Sequence, residues 1–169
     1  FTVIGTYSDF ELRQYQPCVI AEVKVSGQYS SVGSQAFRHL FQYISQGNKT
    51  SQKIAMTAPV IAAQHTDHSN SDDWYISFVM PAGSTYEQMP HPNDPEVTLR
   101  ALDTQMCVAI SFRGRATQDK SNQLITELRA AAAKENIALS SETRICRFDP
   151  PFKPGFLQYN EIVIPAYLS

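Results

Sequence analysis

The sequence predicts an α+β domain built from two copies of a βαββ unit, and three observations predict it. The spacing of apolar residues switches between a strand-like and a helix-like period in the same order twice. Two stretches have helical spacing, while every other apolar run is strand-sized. A proline-dense segment divides the chain near its middle. The expected architecture is a duplicated set of strands with one helix in each half. It forms a single domain over residues 1–169, with pseudo-repeats at about 7–80 and 96–168.

ELRQY and CVIAEVKV alternate or run apolar with Gln16-Pro17 as turn punctuation, so a strand pair is expected between Phe10 and Val25. From Ser30 to Ile44 the period changes. Val32, Ala36, Phe37, Leu40, Phe41 and Ile44 recur at spacings of three and four, with Gln35, Arg38, His39 and Gln42 opposite. This is an amphipathic helix that Ser30 or Ser31 can cap and Gly47-Asn48 can close. Strands are expected next at Ile54–Ala62 and Trp74–Met80, joined by the polar QHTDHSNSDD. The segment PAGSTYEQMPHPNDP holds four of the ten prolines, which excludes a helix or central strand and predicts an extended surface loop, a flexible cover.

The order then repeats: strands VTLRAL and MCVAISFRGR, a helix from Gln118 to Glu135, and strands ETRICRF and NEIVIPAYL. Cys18 and Cys107 open equivalent strands 89 residues apart, and Gly27 and Gly114 follow those strands 87 apart. Duplication of this kind predicts a pseudo-twofold axis, with ligands held where the halves meet. The second helix has a face of Leu124, Ile125, Leu128, Ala131 and Ala132, small enough to close on a sheet. Phe37 and Phe41 hold the surroundings of the first helix further apart, so a cavity is expected there.

A hydrophobic share of 43% and a charged share of 18% are those of a folded domain. The net charge of -2, with Lys and Arg dispersed, argues against general nucleic-acid affinity. No apolar run approaches the roughly 18 to 20 residues needed to cross a bilayer, so no transmembrane segment is expected and the protein reads as soluble. Phe1 stands where a translated chain has Met, compatible with a removed signal peptide, so the location is open between cytoplasmic and exported. Cys18, Cys107 and Cys146 have no CxxC spacing and lie in apolar strands, which predicts buried free thiols.

Common catalytic and nucleotide-binding motifs such as GxGxxG, GxSxG and HExxH are absent, so the expectation is a binder and not an enzyme. His65 and His68 sit with Asp67, Asp72 and Asp73, a set that reads as a solvated loop more readily than as a metal site. His39, opposite the apolar stripe, is expected to face water. Glu11, Glu22 and Glu161 suggest ion pairs with Arg13, Lys24 or Arg100 before acid and base chemistry. Phe41, Tyr43 and Met56 suit either a core or a cofactor slot.

Four stretches together resemble the SOUL family of haem-binding proteins: FELRQYQP, AFRHLFQYISQGN, KIAMTAPV, and RFDPPFKP followed by NEIVIP. They occur in family order from about Tyr7 to Pro165, and KIAMTAPV is the most specific. The resemblance implies the same duplicated βαββ fold as a distorted, antiparallel, barrel-like sheet carrying two helices, and a haem or porphyrin ligand in an apolar groove beside the first helix. By position, Phe37, Leu40, Phe41 and Ile44 would form the groove floor, Met56 and Val60 a wall, and Arg38 and Lys53 the partners of the propionates. No metal bond is needed for such an interaction. The chain departs from family patterns at Gln14, where a vertebrate branch has a histidine, and at Ser34 and Gln42, where some members are basic. The duplicated plan is also similar to multidrug-sensing domains of the GyrI group, which implies the alternative of a small-molecule module that takes no haem.

Overall fold

The computed structural model describes residues 1–65, 73–150 and 152–167. In chain order its elements are β1 (Thr2–Thr6), β2 (Glu11–Tyr15), β3 (Cys18–Ser26), α1 (Tyr29–Ile44), β4 (Val60–His65), β5 (Asp73–Val79) and β6 (Thr98–Leu102). There follow β7 (Gln105–Arg113), α2 (Gln118–Lys134), β8 (Ala138–Leu139), β9 (Glu142–Arg147) and β10 (Tyr159–Tyr167), with short 3₁₀ turns at Tyr86–Gln88 and Gly155–Leu157. The class is α+β, and the order strand, helix, strand, strand occurs twice, as β3-α1-β4-β5 and β7-α2-β9-β10.

The chain forms two compact units, and each takes strands from both halves of the sequence. The first comprises Phe1–Gln16, Ala63–Ser71 and Thr104–Ser169, and in it antiparallel strands run β1-β2-β7-β10-β9, with β8 on β10. The second comprises Pro17–Ala62 and Asp72–Asp103, in which β3 pairs antiparallel with β5 and β6. The strand pair expected across Gln16-Pro17 is therefore not formed. Pro17 has no N–H for a ladder, and β2 and β3 go to different units. The pair Arg13↔Cys107 recurs as Leu102↔Cys18, the partners that an offset of 89 requires.

In the first unit, alternation along the strands places Leu12, Val108, Ile145, Ile162 and Ile164 on one face, and all are buried. α2 packs on β7 and β10 with Leu124, Leu128 and Ala132 buried, the small face expected for it. In the second unit, α1 lies on β3 and β5, and Val32, Ala36, Leu40, Tyr43 and Ile44 meet a sheet face that includes Ala21, Val23 and Phe78.

Local chemistry departs from expectation at three places. Neither Ser30 nor Ser31 caps α1; Gln28 occupies the cap without a side-chain bond, after Gly27 at φ 141°. At the other end Gln46 takes the left-handed conformation, φ 88°, and the Gly47 N–H reaches back to Gln42 O at 2.8 Å. Gly47 is required by closeness, since a Cβ there would stand 2.5 Å from that oxygen. The strand expected from Ile54 begins only at Val60, because Pro59, after a cis Ala58-Pro59 bond, has no donor to pair.

Candidate ligand-binding site

Successive residues of a helix turn by about 100°, so a stripe of two flanks runs beside the buried face of α1. Phe37 and Phe41 share one flank and remain 44% and 50% exposed. Their rings stack at 5.7 Å with planes 15° apart, and Phe37 also meets the buried Phe78 of β5 edge-on at 5.4 Å. Phe78 thus ties the pair to the core while its outer surface stays open. Arg38, one residue along toward solvent, is exposed and has no ion-pair partner among the described residues.

The residues of KIAMTAPV run beside the end of α1. The Ile54 N–H bonds Ile44 O at 2.8 Å, Ser45 bridges Lys53, and the Thr57 hydroxyl donates to Val79 O. Held in this way, the segment leaves Lys53 exposed, Met56 48% exposed and Val60 half-buried, while Ile54 enters the core. Two of the residues assigned to a groove floor are elsewhere. Leu40 and Ile44 are 0% and 4% exposed, because their register on α1 points them into the sheet and their surfaces are spent on protein packing. The open apolar surface of α1 is the edge made by Phe37 and Phe41.

His39 lies on the opposite flank of α1, and it is not simply hydrated. Its Nδ1 is 2.5 Å from Asp94 Oδ2, and Asp94 Oδ1 accepts the Glu96 N–H at 2.9 Å. These bonds, the one from His39 first, hold the Asp94 carboxyl below its ordinary range. The proline-rich loop is accordingly no loose cover. Tyr43 Oη donates to Pro90 O at 2.7 Å, the Lys49 N–H to His91 O at 2.9 Å, and the Asn93 N–H to Gly47 O at 3.1 Å. The buried Asn48 organises the same corner through bonds to Tyr43 O, Gln52 O and the Gln52 N–H.

A family model for the SOUL heme-binding proteins matches residues 1–165. The chain belongs to that family. No curated protein matches it. Among solved structures, this SOUL chain is similar to the EcmrR C-terminal domain, with 13% identity over 94% of this chain and 96% of the other at a TM-score of 0.73. It is similar to a hydrolase encoded by lin2189 from Listeria innocua, with 11% identity over 95% and 94% and a TM-score of 0.63. It is also similar to SAV2435 bound to tetraphenylphosphonium, with 10% identity over 94% of each chain and a TM-score of 0.53. At these identities the likeness is one of fold.

The first unit of this SOUL chain carries a polar constellation of its own. The Arg13 guanidinium, almost fully buried, bonds both Glu161 oxygens at 2.9 Å, Glu11 Oε1 at 2.9 and 2.8 Å, and Tyr15 Oη at 2.9 Å. Tyr159 Oη donates to Glu161 at 2.7 Å. Burial works against the Arg13 charge, but the bonds to Glu161, Tyr15 and Glu11 outweigh it and hold the group protonated. Expected pairing of the strand carboxylates is observed here and between Arg100 and Glu22 at 2.8 Å; Lys24 pairs with Asp73 instead, at 3.6 Å. A shallow cavity of about 280 Å³ opens over β2 and β7, lined by Tyr7, Asp9, Phe10, Glu11, Ala109 and Ser111 among others, with Tyr7 and Phe10 stacked at 4.6 Å.

No cluster of metal-ligating side chains occurs among the described residues. Of the polar-loop set, Asp67, His68 and Asp72 lie outside the described residues; His65 approaches Glu142 at 3.8 Å and Asp73 bonds Ser26 Oγ at 2.6 Å. None of the three cysteines is in a disulfide; Cys107 and Cys146 are buried as expected, but Cys18 is half-exposed. No helix among the described residues is long and apolar enough to cross a membrane.

Proposed function

We propose that the chain binds haem or an iron-free porphyrin as a carrier or buffer, laying the macrocycle against Phe37, Phe41 and Met56. The observation that carries this reading is the stacked phenylalanine pair, anchored to the core by Phe78 yet half-open to solvent, in a chain of a heme-binding family. Covering the exposed parts of Phe37, Phe41 and Met56 contributes about 1 kcal/mol each, roughly half the value for complete burial of such side chains. Arg38 and Lys53, both exposed, suit carboxylate-bearing edges of the ring. His39 is on the far flank and occupied by Asp94, so the reading rests on apolar contact and charge rather than on a bond from α1 to iron. An affinity of this origin is modest and exchangeable, as a carrier or buffer requires.

The test is a titration with haemin and with protoporphyrin IX. Both should bind saturably, haemin with a shifted Soret band, and Phe41→Glu should abolish binding without lowering the thermal midpoint. Retained binding by that variant would remove the site. We propose binding without catalysis, since the strand carboxylate best placed for acid and base work, Glu161, is fully engaged by Arg13 and Tyr159.

A second reading, a small-molecule module that takes no haem, draws on the cavity over β2 and β7. There two aromatic rings stand beside Asp9 and Glu11, a lining that suits a bulky organic cation. Thermal stabilisation by tetraphenylphosphonium, with an unshifted Soret band on haemin addition, would favour it.

A further inference from the structure

Between β9 and β10 the described residues 148–150 and 152–158 belong to a loop, whose side chains the proposed ligand face does not use. It holds Phe152 87% exposed, Phe156 75% exposed and Leu157 45% exposed. Large apolar side chains on a slack loop would fold back onto the protein, and here the backbone prevents it. The Lys153 N–H bonds Pro150 O at 3.1 Å, the Leu157 N–H bonds Pro154 O at 2.9 Å, and the Gln158 side chain bonds Lys153 O at 2.9 Å. Asp149 accepts the Tyr159 N–H at 2.6 Å and Lys153 Nζ at 3.0 Å, while the Gly114 N–H bonds Gln158 O at 2.9 Å. Phe152 and Phe156 thus stay exposed beside backbone held by these bonds.

Its charge is the reverse of the chain's. From Arg147 to Gln158 the one carboxylate is Asp149, against Arg147 and Lys153. The end of β7 and the segment after it add two more cations at the loop: Arg113, which donates to Leu157 O at 3.1 Å, and Arg115, whose side chain lies against Gly155. Arg113, Arg115 and Arg147 are exposed. Four cations and one acid surround two protruding phenylalanines, in a protein whose net charge is -2.

We propose that this loop docks on an anionic lipid bilayer, with Phe152 and Phe156 entering the boundary between headgroups and acyl chains and Arg113, Arg115, Arg147 and Lys153 meeting lipid phosphates and carboxylates. Aromatic side chains partition to that boundary, and clustered cations are drawn to anionic headgroups. Charge complementarity selects the occupant: the exposed Arg113 and Arg115 beside the rings favour an anionic surface over a neutral apolar protein pocket. The docking is peripheral, reversible and salt-sensitive, and it is independent of whether haem binds at α1.

Sedimentation of the full chain with vesicles tests it, using phosphatidylcholine alone and phosphatidylcholine with phosphatidylserine in equal parts. The chain should pellet with the anionic vesicles, less so at high salt, and stay in solution with the neutral ones. Phe152→Ala with Phe156→Ala should weaken binding more than about tenfold. Arg113→Gln with Arg115→Gln should weaken it about 25-fold, each cation near the surface accounting for about fivefold. All four side chains are exposed, so thermal midpoints should hold. Phe156→Trp reads the contact directly, through a blue shift of its emission on adding anionic vesicles. No pelleting with anionic vesicles, equal pelleting with neutral ones, or undiminished pelleting of the double phenylalanine variant would each overturn the proposal.

Discussion

Replacing Arg13 by alanine should be among the most damaging single changes in this protein. The guanidinium makes five side-chain bonds, to Glu11, Tyr15 and both oxygens of Glu161, and its side chain is 5% exposed against 4% for Glu161. Removing it leaves the Glu161 carboxylate buried with Tyr159 as its remaining donor. Stranding one member of a buried pair costs about 3–5 kcal/mol, because the desolvation already incurred is no longer offset. For a chain of this length that is a fall of roughly 10 °C in thermal midpoint. Loss of the Phe1 ring's seat, 4.1 Å from the guanidinium carbon, adds a little more. The assay is urea unfolding at neutral pH of the wild type, Arg13→Ala, Glu161→Gln and the double variant. On the Glu161→Gln background the Arg13→Ala penalty should shrink by about 2 kcal/mol, since no stranded charge remains. A cost for Arg13→Ala below about 1 kcal/mol, or a penalty unchanged by Glu161→Gln, would refute the reasoning.

The His39–Asp94 contact makes a pH-dependent contribution. A carboxyl held below its ordinary value of 3.8 in the folded state stabilises fully above that pH and stops doing so as pH falls through the lower folded value. The midpoint deficit of Asp94→Asn should therefore be complete at pH 6 and vanish in stronger acid, and a deficit independent of pH would contradict the contact. Burial pushes the thiol of Cys107 up to about 11 and that of Cys146 up to about 12, so a disulfide reagent at pH 8 should label half-exposed Cys18 first and the other two after unfolding. Prompt native labelling of all three would show that those strands open. Gly47→Ala forces a Cβ to 2.5 Å from Gln42 O and should cost on the order of 1–3 kcal/mol, measured as a lowered denaturation midpoint.

Much of this was legible from residue order. Spacings of three and four located α1 and α2, and alternation located β3, β5, β6, β7, β9 and β10, because a half-buried helix and strand impose different periods on apolar side chains. β1 and the two-residue β8 escaped: β1 is largely exposed and β8 too short for any period to show. Partnership escaped too. ELRQY and CVIAEVKV read as a hairpin, and hydrogen bonding across the chain is decided by whichever edge each strand reaches, which adjacency in sequence does not encode.

The sequence by itself determined both helices and most strands, their duplication, the family and the two phenylalanines on α1, since these follow from local period and from residue types in order. Only the tertiary structure decided which apolar residues are spent and which remain open. Phe37, Leu40, Phe41 and Ile44 belong to one helical pattern, yet Leu40 and Ile44 are sealed and Phe37 and Phe41 are not. Likewise Phe152, inside RFDPPFKP, and Phe156, just after it, stand among prolines, and nothing in their order distinguishes a buried ring from a bare one. Exposure depends on what arrives from distant parts of the chain to cover a side chain, and that is a property of the assembled fold.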